Sequence, residues 1–129
     1  MSDYVKDLVN YRLGRAKETI EDAKLMANAG SWNNCVNRLY YACFYAVSAL
    51  LTQQGLSASK HTGVRSLFNL NFVKTGKIEK KMSRLYNDLF EKRQEGDYVD
   101  FVYFSEPQIM PLIPKAEKFI EKIKELLAI

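Results

Sequence analysis

Leu39-Tyr-Tyr-Ala-Cys-Phe-Tyr-Ala-Val-Ser-Ala-Leu-Leu51 is a run of thirteen residues in which only Ser48 is plainly polar and no Gly or Pro intervenes. A helix that is apolar on all sides has to be surrounded by other elements. A membrane span needs roughly 18–20 such residues, and polar or charged residues flank this run on both sides. The stretch therefore predicts the central helix of a packed core. Its aromatics, Tyr40, Tyr41, Phe44 and Tyr45, are packing residues, and each buried hydroxyl among them needs a partner.

Outward from that helix the pattern stays helical. Val5, Val9, Leu13, Ala16, Ile20, Ala23 and Ala27 recur in steps of three and four, predicting an amphipathic helix over 4–28 that stops at Gly30. Ser31 is a candidate N-cap for the central helix, over 31–54, which ends at Gly55. A third helix is expected over 61–73, with His61, Val64, Phe68 and Phe72 on one side and a cap at or near Ser59. Residues 74–77 form a turn, and a fourth helix over 78–94 carries the stripe Met82, Leu85, Tyr86, Leu89, with Gly96 helping to stop it.

Residues 97–104, DYVDFVYF, are strand-like in composition. No second strand is visible to pair with them, so an ordered loop packed on the bundle is expected. Ser105 and Gln108 have capping-box spacing and Pro107 suits a first turn, but Pro111 and Pro114 delay the regular helix to one of those two positions. Ala116, Phe119, Ile120, Ile123 and Leu127 then mark its buried face. The sum is an all-α, mostly antiparallel up-and-down bundle of about five helices with a four-helix core, one domain over 1–129.

The 129 residues can bury a core without staples, and 47% hydrophobic against 26% charged residues fits a globular chain. Nineteen basic and 15 acidic residues interleave to a net charge of +4, which permits nucleic-acid binding without showing it. Cys35 and Cys43 lie about 12 Å apart along one helix and are expected as buried reduced thiols. With one histidine and no Cys-x-x-Cys, no metal site is expected, and no cofactor is implied. The first residues lack a signal-peptide layout, so a cytoplasmic protein is expected.

Two placements invite chemistry. Arg93 continues the inward stripe of the fourth helix. Either its stem passes the core and its guanidinium meets Asp97 or a helix-end carbonyl, or it faces a cleft and holds a phosphate, which its planar fork suits. His61 is the single histidine, on the same face as Phe68 and Phe72. It is either a satisfied imidazole, bonded to a carbonyl or a tyrosine, or a proton carrier with an unperturbed pKa near 6.5. Lys60 and Arg65 beside it are candidate phosphate contacts, and Asp97 and Tyr98 follow Arg93 closely.

Four segments taken together resemble the HEPN domain family: Arg38-Leu-Tyr-Tyr-Ala-Cys-Phe-Tyr-Ala, Lys60-His61-Thr-Gly, Phe72-Val-Lys-Thr-Gly76 and Arg93-Gln-Glu-Gly-Asp-Tyr98, within about residues 5–127. The resemblance implies a helical bundle, a homodimer, and a partnership with a minimal nucleotidyltransferase. It also implies metal-independent ribonuclease chemistry in many members, often as toxins restrained by that partner. The family's motif is an arginine followed a few residues later by a histidine at the dimer cleft. Here Tyr98 stands where that histidine is expected, and a phenol with an ordinary pKa near 10 is a poor general base at neutral pH.

The leading expectation is a dimer binding a nucleotide or RNA phosphate near Arg93, with a degenerate catalytic motif. The alternatives are a toxin endoribonuclease using Arg93 with His61 or Tyr98, and a non-catalytic interaction module in which both residues are structural. The aromatic segment 97–104 exceeds what one bundle can cover, which independently favours a dimer.

Overall fold

The computed structural model describes residues 2–127 and is helical throughout, with no strand among the described residues. In chain order the helices are α1 (Asp3–Asn28), α2 (Trp32–Gln53), α3 (His61–Phe68), α4 (Lys80–Tyr98), the single turn α5 (Glu106–Ile109) and α6 (Leu112–Leu127). A π-helical turn, Asn69–Val73, extends α3. The all-α bundle expected from the periodicity is therefore the observed fold, with one added turn after the aromatic loop. No described helix is long and apolar enough to cross a membrane.

The central position of α2 follows from its composition. Cys35, Val36, Leu39, Tyr40, Ala42, Cys43, Ala46, Val47, Ala49, Leu50 and Leu51 are all buried, on every side of the helix. The remaining helices satisfy that demand by surrounding it: α2 touches α1, α3, α4, α5 and α6. Alanines at 42, 46 and 49 allow close approach on some faces, while Leu39, Tyr40 and Leu50 fill the space on others. Cys35 and Cys43 are buried, unpaired thiols, as their spacing required, and burial pushes the Cys35 thiol up to about 11.

Several local expectations need correction. Gly96 does not stop α4, which runs through it to Tyr98. A methyl group at Gly96 would sit 3.2 Å from the Phe104 ring, so this glycine lets the following loop approach the helix. Consequently Asp97 and Tyr98 belong to the last turn of α4, and the loop is shorter than expected. Ser31 occupies the N-cap position of α2, but its hydroxyl accepts from the Asn34 side chain at 2.9 Å rather than from a backbone N–H. Lys60, the neighbour of Ser59, takes the N-cap position of α3, but no side chain caps the helix.

The loop from Val99 to Phe104 is held by one side chain of α2. Asn33 donates to the Val102 carbonyl at 2.8 Å and accepts from the Phe104 N–H at 2.9 Å. This pair of bonds is the reason a strand-like sequence stays ordered without a strand partner. At α5, Gln108 accepts from the backbone N–H of Ser105 at 2.9 Å and from its hydroxyl at 3.1 Å, so the predicted capping spacing is used. The regular helix α6 begins between the two prolines, and Pro114 falls in its first turn, where its missing N–H costs nothing.

Candidate functional site

The site forms where the N-terminal half of α2, the start of α3 and the C-terminal half of α4 meet. Tyr40 lies at its centre because it is fully buried on the α2 face shared by α3 and α4. Its ring stacks on Tyr86 at 5.8 Å and meets Phe90 edge-on at 5.8 Å, both from α4. The stack continues from Tyr86 to Phe119 of α6 at 5.7 Å, tying the site to the far side of the bundle.

Arg93 is 5% exposed, so the stripe that placed it inward was correct. Its guanidinium carbon lies 4.8 Å from the Tyr40 ring centre, 5.6 Å from Tyr41, 5.9 Å from Phe90 and 6.0 Å from Tyr98. Among the described residues no carboxylate pairs with it, and its Nε is buried without a hydrogen-bond partner. Asp97, one of the two partners expected for Arg93, instead accepts from the Asn37 side chain at 2.9 Å. A guanidinium stays charged at any ordinary pH. Among the described residues, the guanidinium rests against π faces with no anion beside it to balance its charge.

His61 joins Arg93 through Tyr40. Its Nδ1 is 2.7 Å from the Tyr40 hydroxyl, and its ring stacks on Phe44 at 4.4 Å with a 16° tilt. Tyr41 meets the imidazole edge-on at 5.7 Å. The tyrosine partner expected for a satisfied imidazole is thus present. Burial, and then the positive charge of Arg93, lowers the His61 pKa below its ordinary 6.5. Burial pushes the Tyr40 phenol up to about 12, partly offset by Tyr86 and Arg93, so it keeps its proton.

The His61 shift has a definite sign in stability. The unfolded chain takes up a proton near pH 6.5, before the folded protein does. The contribution is therefore complete above that pH and is lost as the pH falls toward the lower folded-state value. Urea midpoints of the parent protein should fall between pH 7 and pH 5 more steeply than those of His61→Gln. Equal slopes for the two proteins would show that His61 titrates as an exposed imidazole.

The other sequence-derived candidates divide. Tyr98 is 75% exposed at the mouth of the site, with its ring at the edge of the Arg93 box. The Arg65 guanidinium lies 4.0 Å over the Phe90 ring and pairs with Glu91 at 3.6 Å. Lys60 is exposed at the entry to α3, with no contact that ties it to Arg93. Tyr40, Tyr41, Phe44 and Asn37 were missed as site residues. The one available signal was the need of a tyrosine hydroxyl inside an apolar helix for a polar partner. Beside the site, Arg38 donates twice to the Asn37 side-chain oxygen, at 3.0 and 2.7 Å, and lies over the Tyr41 ring at 5.3 Å.

The loop after Tyr98 presents a second feature. Phe101 is 90% exposed and holds a left-handed backbone, φ +62°, which costs a non-glycine residue about 1 kcal/mol or more. Val99 and Tyr103 are exposed with it, so the loop that follows Tyr98 presents apolar and aromatic surface.

These features accompany clear relationships to known proteins. The chain is 47% identical over 120 residues to a UPF0332 protein of Thermotoga maritima, covering 93% of this chain and 91% of that one. It is 33% identical over 112 residues to a Methanocaldococcus jannaschii protein named "Putative toxin MJ0605", covering 87% and 83% of the two chains. The crystal structure of TT1696 from Thermus thermophilus superposes with a TM-score of 0.77 at 14% identity, over 91% of this chain and 96% of that one, a likeness of fold. The family model of the HEPN domain matches residues 9–126, and the chain belongs to that family.

Proposed function

We propose that this HEPN domain binds an RNA or nucleotide phosphate at Arg93, in the cleft of a homodimer, and works with a minimal nucleotidyltransferase as its partner. The observation that carries the reading is the uncompensated guanidinium. A buried cation that contacts only aromatic faces is costly, and a phosphate oxygen entering the box would supply the missing charge and the acceptor for Nε. The exposed Tyr98, Val99, Phe101 and Tyr103 supply the surface for a second copy beside the same mouth. The toxin names of archaeal relatives support a place in a toxin pair.

Ribonuclease activity is the second reading, favoured by the convergence of Arg93 and His61 on one tyrosine. In the tautomer in which the Tyr40 phenol donates to Nδ1, Nε2 carries the ring proton and the neutral imidazole has no free lone pair to take a proton from a 2′-hydroxyl. Its lowered pKa leaves little imidazolium at neutral pH to protonate a leaving oxygen. This arrangement favours binding over efficient cleavage.

The test is incubation of the purified protein with RNA in chelator, read for both binding and cleavage, beside Arg93→Met and His61→Ala. Binding lost in Arg93→Met without cleavage by the parent supports the leading reading. Cleavage by the parent that both substitutions abolish replaces it with the ribonuclease. RNA and nucleotide binding untouched by Arg93→Met removes both. A solution mass equal to one chain would remove the dimer cleft.

A further inference from the structure

His61 and Arg93 come from different helices but rest on the same two rings. The Arg93 guanidinium carbon is 4.8 Å from the Tyr40 ring centre and 5.6 Å from that of Tyr41. The imidazole ring is 5.8 Å from Tyr40 and 5.7 Å from Tyr41. The titratable groups around His61 are few. From α2 come the phenols of Tyr40 and Tyr41, and from α4 comes Arg93. On its own helix Arg65 is paired with Glu91 of α4, and Lys60 is exposed. Asp97 is bonded by Asn37. Among the described residues no carboxylate pairs with either His61 or Arg93.

Tyr86 brings a second hydroxyl to this corner. Its ring stacks on Tyr40 at 5.8 Å with an 11° tilt, and its oxygen is buried with no hydrogen-bond partner among the described residues. A buried hydroxyl without a partner is a costly exception in a packed core and calls for a role. The neutral imidazole is satisfied by Tyr40 and asks nothing of Tyr86. In the imidazolium, however, both ring nitrogens carry hydrogen. Tyr40 then has to accept from Nδ1, and its own O–H has to turn to another acceptor. The idle oxygen of Tyr86 is on the neighbouring ring, close enough that each phenol shifts the ionisation of the other. The corner thus holds an acceptor that only the charged form of His61 calls on.

We infer that an anion bound at Arg93 is taken up together with one proton, which His61 holds as imidazolium while Tyr40 turns its hydroxyl to Tyr86. The inference rests on the phosphate reading above and adds its regulation by pH. Charge balance gives the sign. Without an anion, burial and the Arg93 charge both disfavour a second cation on the same two rings. An oxyanion beside Arg93 brings the negative charge that the corner lacks, and an opposite charge nearby favours the charged imidazole. His61 therefore holds its proton more tightly in the complex than in the free protein. By linkage, the anion binds more tightly as the pH falls from the bound-state pKa toward the lower free-state value. His61 is half-buried rather than sealed, which leaves the proton a way in from solvent.

The experiment measures the affinity of the full chain for oligouridine between pH 8 and pH 5.5. Both ends of the RNA are hydroxyls, so that no phosphomonoester, with a second pKa of about 6, titrates alongside the protein. His61 is the single histidine, so its NMR resonances read its pKa directly, with and without RNA. The parent is expected to bind about fivefold more tightly at pH 5.5 than at pH 8, part of the tenfold that a one-unit rise in the His61 pKa supplies at full protonation. The histidine pKa is expected to rise when RNA is added. His61→Gln should show one affinity across the range, and Tyr86→Phe should narrow the ratio to about twofold. Circular dichroism checks that each variant is folded. An affinity that is flat with pH, a histidine pKa that bound RNA leaves unmoved, or a full pH response in His61→Gln overturns the inference and leaves Arg93 as the phosphate site. A full response in Tyr86→Phe overturns the hydroxyl shift. No RNA binding at any pH, or binding that Arg93→Met leaves intact, removes the phosphate site itself and this inference with it.

Discussion

Arg93→Met is expected to leave the protein at least as stable as the parent while weakening its hold on an RNA phosphate about tenfold to a hundredfold. The two halves of this result have one cause. Burying an ion without a counter-charge costs several kcal/mol, and replacing buried ions by apolar side chains of similar volume is often neutral or stabilising. Contacts to the rings of Tyr40, Tyr41, Phe90 and Tyr98 return part of that cost, about 0.5–2 kcal/mol for a favourable cation–π pair. Methionine keeps much of the length and packs against the same rings. The phosphate, however, loses charge-assisted hydrogen bonds worth about 1.5–3 kcal/mol. Thermal unfolding and RNA titration on the same preparation read both effects. A melting temperature several degrees lower, with RNA affinity unchanged, would make Arg93 a structural residue and end the phosphate reading.

Tyr40→Ala is expected to have the largest effect on stability of any single change in the site. The side chain is fully buried and touches rings from α2, α3 and α4, so truncation leaves a cavity between three helices. Large-to-small changes of aromatic residues in cores cost about 3–5 kcal/mol, against a total of about 5–15 kcal/mol for an ordinary domain. Tyr40→Phe separates packing from hydrogen bonding. It keeps the stack on Tyr86 and loses only the bond to His61, about 1 kcal/mol. Urea denaturation should show a large drop in midpoint for the alanine variant and a small one for phenylalanine. A cost below about 1 kcal/mol for Tyr40→Ala would mean that the three helices close over the gap, and that Tyr40 does not organise the site.

The helices were legible because their signals are local and repeated. An apolar run flanked by polar residues, together with steps of three and four in α1, α4 and α6, is enough to specify a bundle around α2. Arg93 was legible for the same reason, as a charge on an apolar stripe. Gly96 shows where local reading fails. In sequence it is a helix stop, but in the folded protein it is the place where Phe104 returns to α4, eight residues along the chain and across a loop. Asp97 fails in the same way: four residues after Arg93 in sequence, it is claimed by Asn37 of another helix.

By itself, then, the sequence determined the all-α class, the identity of the central helix, the inward position of Arg93 and the membership signalled by four short segments. Only the tertiary structure decided what surrounds Arg93 and what His61 touches. Tyr40 and His61 are 21 residues apart, and their 2.7 Å contact exists because α3 packs its first residue against the middle of α2. Periodicity states which face of a helix is buried, whereas a site is a relation between faces, and that relation is set by helix packing.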